Sequence, residues 1–171
     1  MRNRAFLSLG SNMGNKRGYL EAAIKDLRAV STIEVLAVSS FYQNPAVGEI
    51  EQDDFVNAVV YIDTALTPHQ LLWQVNQIEN AHGRERIIEG GPRTLDIDIL
   101  LFGDKNDNPE KVAKLVDEMY LTIPHPEMAK RAFVLVPLLE IAFDVQIPGQ
   151  GKVKDLLEKL DINDIIKLDL D

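Results

Sequence analysis

Asp96 and Asp98 stand two positions apart in the run GPRTLDIDIL, residues 91–100. In a strand, successive side chains alternate between faces, so this spacing puts both carboxylates on one face and Leu95, Ile97 and Ile99 on the other. The apolar set belongs in a core. Two ionised carboxylates sharing a face repel each other unless water, an arginine or a cation lies between them. Arg93, just upstream, supplies one positive group. A divalent cation is another: magnesium takes oxygen ligands, keeps several waters, and is commonly held by one or two carboxylates plus substrate phosphates. On residue chemistry alone two readings stand, a metal–phosphate site and a solvated strand face near a sheet edge.

The elements that must hold this pair follow from hydrophobic periodicity. Residues 4–9 read as a short buried strand ended by Gly10-Ser11-Asn12, after which Leu20, Ala23, Ile24, Leu27 and Val30 recur at helical spacing. The β-branched and aromatic run 32–42 predicts a second strand, left by the loop at Asn44-Pro45, and 55–62 predicts a third. Thr67-Pro68-His69-Gln70 combines a capping residue, proline at the first helical position and glutamine at the capping-box position. A helix opens there with Leu71, Leu72, Val75 and Ile78 inward, and Gly83 closes it. The Asp-x-Asp strand then runs to Phe102. The order βαββαβ predicts an α+β fold of ferredoxin-like type, an antiparallel sheet with helices packed on it, plus C-terminal additions.

Beyond that strand, Val112, Leu115, Val116 and Met119 fall on one stripe after Asn108-Pro109 and predict an extra amphipathic helix over about 108–119. Residues 127–142 are strongly apolar and predict a helix broken at Pro137, followed by a turn at Gly149 and Gly151 and a short helix over 154–160. With no repeat and no long linker, residues 1–171 read as one domain.

Composition narrows the partners. A formal net charge of -9 argues against a general nucleic-acid binder, whose affinity comes from lysine and arginine on phosphates. The basic residues are nevertheless clustered: Arg84, Arg86 and Arg93 precede the aspartates, and Lys130 with Arg131 follows the IPHP segment. An acidic chain with a local arginine group suits a small polyanion. The absence of cysteine excludes disulfides, thiolate metal sites and thiol catalysis, and fits a cytoplasmic setting. The apolar run after Arg2 and Arg4 is too short for a signal peptide, and no segment has the length of a membrane span.

Other candidate motifs are weaker. The segment 10–16, GSNMGNK, lies between strand and helix as phosphate loops do, but its glycine spacing is wrong and Arg17 follows the lysine, so it reads as a turn and helix cap. His125, between Pro124 and Pro126, sits on an extended, accessible loop, where phosphate contact and a plain surface role both remain open. His69 and His82 carry no assigned chemistry, and Trp73 and Phe41 read as core or half-buried packing. No G-x-S-x-G nucleophile elbow is present.

Taken together, FLSLGSNMGN, SSFYQNPAVG, DDFVNAVV, GRER, GPRTLDIDILLFGD and IPHPEMAKRAFVLVPLLEIA resemble the 6-hydroxymethyl-7,8-dihydropterin pyrophosphokinases of folate biosynthesis, in family order over nearly the whole chain. The resemblance implies transfer of pyrophosphate from ATP, the co-substrate, to the pterin hydroxymethyl group, releasing AMP. It implies two magnesium ions on Asp96 and Asp98 and catalytic roles for Arg84 and Arg93. It further implies a nucleotide set of Asn76, Glu79, Arg84, Arg93, Ile99, His125 and Arg131. The pterin would be read by Asn57, sandwiched by Phe55 and Phe133, and bordered by Asn44, Pro45, Val47 and Asp96. Small-molecule substrates only are expected, with no nucleic acid and no membrane, on a monomer for which a dimer stays open.

Two departures stand out. Gly90 occupies the place before GPR where the family often has tryptophan, and residues 104–120 form a longer link than usual. Two other classes fit part of the pattern. A ferredoxin-like binding module would use the pocket without catalysis, and a magnesium-dependent phosphohydrolase or nuclease would use the Asp-x-Asp pair alone.

Overall fold

The computed structural model describes residues 2–83, 91–106 and 114–169. Its order is β1 (Asn3–Ser11), α1 (Lys16–Ala29), β2 (Ile33–Val38), β3 (Tyr42–Asn44), β4 (Phe55–Thr64), α2 (Pro68–Ala81) and β5 (Asp96–Asp104). There follow β6 (Val116–Glu118), β7 (Leu121–Ile123), α3 (Ala132–Ile141), β8 (Gln146–Ile147), β9 (Gly151–Lys152), α4 (Val153–Leu157) and β10 (Ile166–Lys167). Helices and an antiparallel sheet make this an α+β fold. The main sheet runs β10-β3-β4-β1-β5, and β2 pairs with β4 beyond β3. Every pairing in it is antiparallel.

The first two helices form where their local signals agree. Asn15 caps α1 by accepting the Gly18 N–H, and Thr67 with Gln70 completes a reciprocal capping box on α2. Leu20, Ala23 and Leu27 of α1 and Leu71, Val75 and Ile78 of α2 pack with Ala5, Leu7, Leu9, Ala58, Val60, Ile97 and Ile99 on one sheet face. The opposite face, through Phe6, Val59, Leu100 and Leu101, packs against Val134, Leu135 and Leu138 of α3. Period-two alternation in β1, β4 and β5 therefore feeds two cores.

Four expectations need correction. The strand expected over 32–42 is two strands, β2 and β3, interrupted where the Ser39 hydroxyl accepts the Val59 N–H and replaces a ladder bond. The helix expected over 108–119 is not one over its described part: 107–113 lie outside the described residues, and Val116–Glu118 is a strand paired with β7. Val116 packs partly against the core while Leu115 and Met119 are exposed, a burial pattern that strand pairing satisfies and a helical stripe does not. The apolar segment expected over 127–142 is a single 3-10 turn followed by α3, which continues through Pro137. Burial of Pro137 with Leu135 and Leu138 outweighs the one missing donor. Trp73 is 62% exposed, so it is neither core nor half-buried.

α3 is tied to the sheet by a polar clasp as well as by apolar contacts. The Glu140 carboxylate accepts hydrogen bonds from the Ser40 amide and hydroxyl and from the Tyr42 hydroxyl. Burial alone would push the Glu140 carboxyl up, but these donors outweigh it and hold it below its ordinary 4.5, while burial and the carboxylate raise the tyrosine well above 10. A carboxyl depressed on folding stabilises above its unfolded pKa, and that stability is lost as pH falls through the lower folded value. Glu140→Gln is expected to cost about 1 kcal/mol at neutral pH after discounting for solvent exposure. The gap to wild type should narrow in urea melts below pH 4.5, the ordinary value for this carboxyl. A gap that stays constant down to acid pH would contradict the clasp.

Candidate active site

The site begins with strand register. Gly10 of β1 lies directly opposite Asn57 of β4 on one side and Asp96 of β5 on the other, and Ser8 lies between Val59 and Asp98. Opposed residues share a sheet face. The central strand thus presents a hydrogen and a hydroxymethyl group where its neighbours present larger groups, which makes a trough. An added Cβ at Gly10 would meet Asn57 Oδ1 at 2.9 Å, so glycine is required for close approach.

The trough is a cavity of about 270 Å³. Phe55, Asn57, Asn44 and Val47 line one end, and Arg93, Asp96 and Asp98 line the other. Lys130, Arg131, Phe133 and Val134 reach it from around the start of α3, and Gln52 from the loop before β4. Phe55 and Phe133 are half-buried. Rings that line a cavity without full burial are available to a flat ligand. Asn57 is buried and donates through Nδ2 to Asn44 Oδ1, which fixes both amides at the aromatic end. Pro45 borders an adjoining hollow of about 400 Å³ shared with Val47, Arg131 and Phe133.

At the charged end, Arg93 Nη1 donates to Asp96 Oδ2 at 3.0 Å, with side-chain exposures of 28% and 16%. His125 Nε2 is 4.0 Å from Asp98 Oδ2. The imidazole is more enclosed than its loop suggested, at 19% side-chain exposure. Its Nδ1 accepts the Glu127 N–H at 3.2 Å, so the neutral ring carries its proton on Nε2, toward Asp98. Burial, and after it the charge of Arg131, holds His125 below its ordinary 6.5 against the opposing pull of Asp96 and Glu127. Burial thus favours the neutral ring, with its N–H toward Asp98.

Because β5 is a sheet edge, its outward backbone groups need other partners. Glu79 of α2 accepts the Ile97 N–H at 2.9 Å, and the His125 N–H donates to Leu100 O at 3.0 Å. The pair of aspartates is thus held on a strand braced along its open side. Among the described residues no group of three or more His, Cys, Asp or Glu forms a ready metal cage. Two neighbouring carboxylates facing a trough suit instead a hard cation that completes its shell with water and phosphate oxygens.

The structure brings together Asn44, Val47, Phe55, Asn57, Arg93, Asp96, Asp98, Arg131 and Phe133 around one cavity, with His125 beside it. It does not bring Asn76, Glu79 or Ile99 to that cavity. Asn76 is exposed on α2, Glu79 of α2 is buried against β5 and Ile99 is buried in the core between sheet and helices. Arg84 lies outside the described residues. Sequence reasoning missed Ser8, Gly10 and Gln52 as lining residues. A glycine inside an otherwise apolar strand was the available signal for Gly10; Gln52 had none.

No helix of the described residues is long and apolar enough to cross a membrane. The family profile of 7,8-dihydro-6-hydroxymethylpterin-pyrophosphokinase matches residues 6–143. The chain is 45% identical over 166 residues to 2-amino-4-hydroxy-6-hydroxymethyldihydropteridine pyrophosphokinase of Methylorubrum extorquens, covering 97% of this chain and 99% of the relative. It is 39% identical over 164 residues to the protein of the same name from Haemophilus influenzae, covering 96% and 97%. The fold is similar to wild-type HPPK-DHPS of Plasmodium falciparum with pterin and p-hydroxybenzoate, at TM-score 0.67 and 16% identity, over 93% of this chain and 43% of that one. The chain spans less than half the length of that solved structure. Sequence similarity along almost its full length and a matching profile, laid over the trough just described, place the chain in the 7,8-dihydro-6-hydroxymethylpterin pyrophosphokinase family.

Proposed function

We propose that this chain, acting as one domain in the cytoplasm, transfers pyrophosphate from ATP to 6-hydroxymethyl-7,8-dihydropterin, giving AMP and the pterin diphosphate. The observation that carries this reading is one cavity with an aromatic and amide end joined to a carboxylate and arginine end. A flat heterocycle with donors and acceptors along its edge suits Phe55, Phe133 and Asn57, and Asn44, Pro45 and Val47 border it. The strand order, with β2 and β3 taken as one interrupted strand, supports a ferredoxin-like assignment.

The chemistry asks little covalent help from protein, only in-line placement and cancellation of developing charge. The pterin hydroxyl oxygen bonds to the β-phosphorus as its proton passes to solvent, the bond to the α–β bridging oxygen breaks, and AMP leaves. Asp96 and Asp98 would hold two magnesium ions, which when bound neutralise charge on the phosphates. Arg93 and Arg131 bring positive charge to the phosphate side, and His125 offers a neutral N–H there. Arg84 is assigned to the phosphates with them. Asn76, Glu79 and Ile99, away from this cavity, are assigned to the rest of the nucleotide on the α2 side of β5.

Asp96→Ala and Asp98→Ala should each lower pterin-dependent AMP formation at least about 10²-fold, with the melting temperature moving only a few degrees. Near-normal turnover in either variant would contradict the metal assignment. Arg84→Ala should slow the single-turnover rate roughly 10²-fold while leaving pterin affinity unchanged; an unaltered rate would remove Arg84 from the reaction. Gly10→Ala should raise the pterin KM more than the ATP KM, because the new Cβ displaces the Asn57 amide; equal effects on both would contradict the trough geometry. AMP released equally with and without the pterin would instead identify a hydrolase.

A further inference from the structure

Asn12 does not line the cavity, yet it touches the backbone leading into both of its ends. Its side chain is buried, with 2% of the residue exposed. Asn12 Nδ2 donates to Gln52 Oε1 at 2.7 Å and to Asp53 O at 3.2 Å. Asn12 Oδ1 accepts the Arg93 N–H at 2.8 Å, and the Asn12 N–H donates to Arg93 O at 3.1 Å. The amide orientation is fixed by partner chemistry, since a backbone N–H only donates and a carbonyl only accepts.

Each partner stands two or three residues from a group in the site. Asp53 precedes Phe55, and Gln52 itself lines the cavity. Arg93 bonds Asp96 through its side chain. The strands they enter, β4 and β5, are not neighbours; β1 separates them. Sheet hydrogen bonding stops at Ser11 against Val56 and at Gly10 against Asp96, and beyond those points, among the described residues, Asn12 bridges the two arms.

We propose that Asn12 is a positioning residue that holds the aromatic end and the phosphate end of the cavity in the mutual register the transfer needs. This rests on the substrate assignment above. Two ligands held at separate ends react only if their atoms meet in line, and displacement of about 1 Å can cost about 10²-fold in rate. Loosening the bridge therefore lowers kcat while each ligand keeps its own contacts.

The amide chemistry supplies a selective variant. Asn12→Asp keeps the acceptor for the Arg93 N–H but loses both donors and sets a carboxylate oxygen against the fixed carbonyl Asp53 O. Gln52→Met removes the acceptor from the other side of the same bond without touching Arg93. Full-length wild type, both single variants and the double variant would be assayed for kcat and both KM values, with nucleotide affinity from titration of a non-reactive ATP analogue and folding followed by thermal melts. Asn12→Asp should lower kcat by about 10- to 100-fold and leave analogue affinity within about 2-fold. The double variant should be no slower than Asn12→Asp alone, because both changes delete one link.

Multiplying losses in the double variant, or kcat at wild-type level in a folded Asn12→Asp protein, would overturn the proposal. So would a fall in analogue affinity as large as the fall in kcat. If Asn12→Asp does not fold, Gln52→Met alone decides: a kcat loss with unchanged analogue affinity supports the bridge, and no kcat loss rejects it. Failure of the substrate assignment looks different, as wild type itself would then form no pterin-dependent AMP. The bridge would still be read from hydrogen exchange at the Arg93 amide, slow in wild type and Asn12→Asp and fast in Asn12→Ala; equal rates in all three would reject it.

Discussion

Pairing of β1 between β4 and β5 is the constraint on which the rest of the site depends. A strand's side chains alternate strictly, so one register decides at once which residues reach the cores and which reach the trough. In this register Gly10 meets Asn57 and Asp96, and Ser8 meets Asp98. A slip of β5 by one residue against β1 would bury a carboxylate among Leu71, Val75 and Ile78 and turn Ile97 toward the trough. Burial of an unpaired carboxylate costs several kcal/mol, so the apolar partition and the functional partition enforce each other.

The rest of the molecule supports that arrangement from its edges. Glu79 and the His125 backbone satisfy the open side of β5. On the far side, β10 pairs with β3, the strand that ends at Asn44. Glu140 clasps α3 to Ser40 and Tyr42, which brings Phe133 and Arg131 over the sheet at a fixed height. At the head of the trough the Asn12 amide joins the two arms that the sheet itself no longer connects. Buried polar bonds of this kind carry a high cost when half-made, which gives the site a well-defined shape.

Much of this was legible in the residues. Asp96 and Asp98 announced a shared face, the capping box at Thr67 and Gln70 fixed the start of α2, and the apolar stripes of α1 and α2 faced the core as periodicity requires. What escaped was set by tertiary partners. Nothing local separates β2 from β3; the Ser39 hydroxyl does it by bonding Val59. Val116 looked helical until its pairing with Ile123 claimed it, and Pro137 looked like a break, yet α3 continues past it with the proline buried. Trp73 is large and apolar yet lies on the outer side of α2. The lining roles of Ser8, Gly10 and Gln52 depend on cross-strand neighbours far away in sequence.

The most direct test is a crystal structure of the protein with the hydroxymethyldihydropterin, a non-reactive ATP analogue and magnesium bound together. The pterin ring is expected between Phe55 and Phe133 with its edge on Asn57. Metal density is expected between Asp96, Asp98 and the phosphates, with the hydroxymethyl oxygen facing the β-phosphorus across the floor made by Gly10. A pterin bound outside the trough, or phosphates held away from both aspartates, would contradict this arrangement.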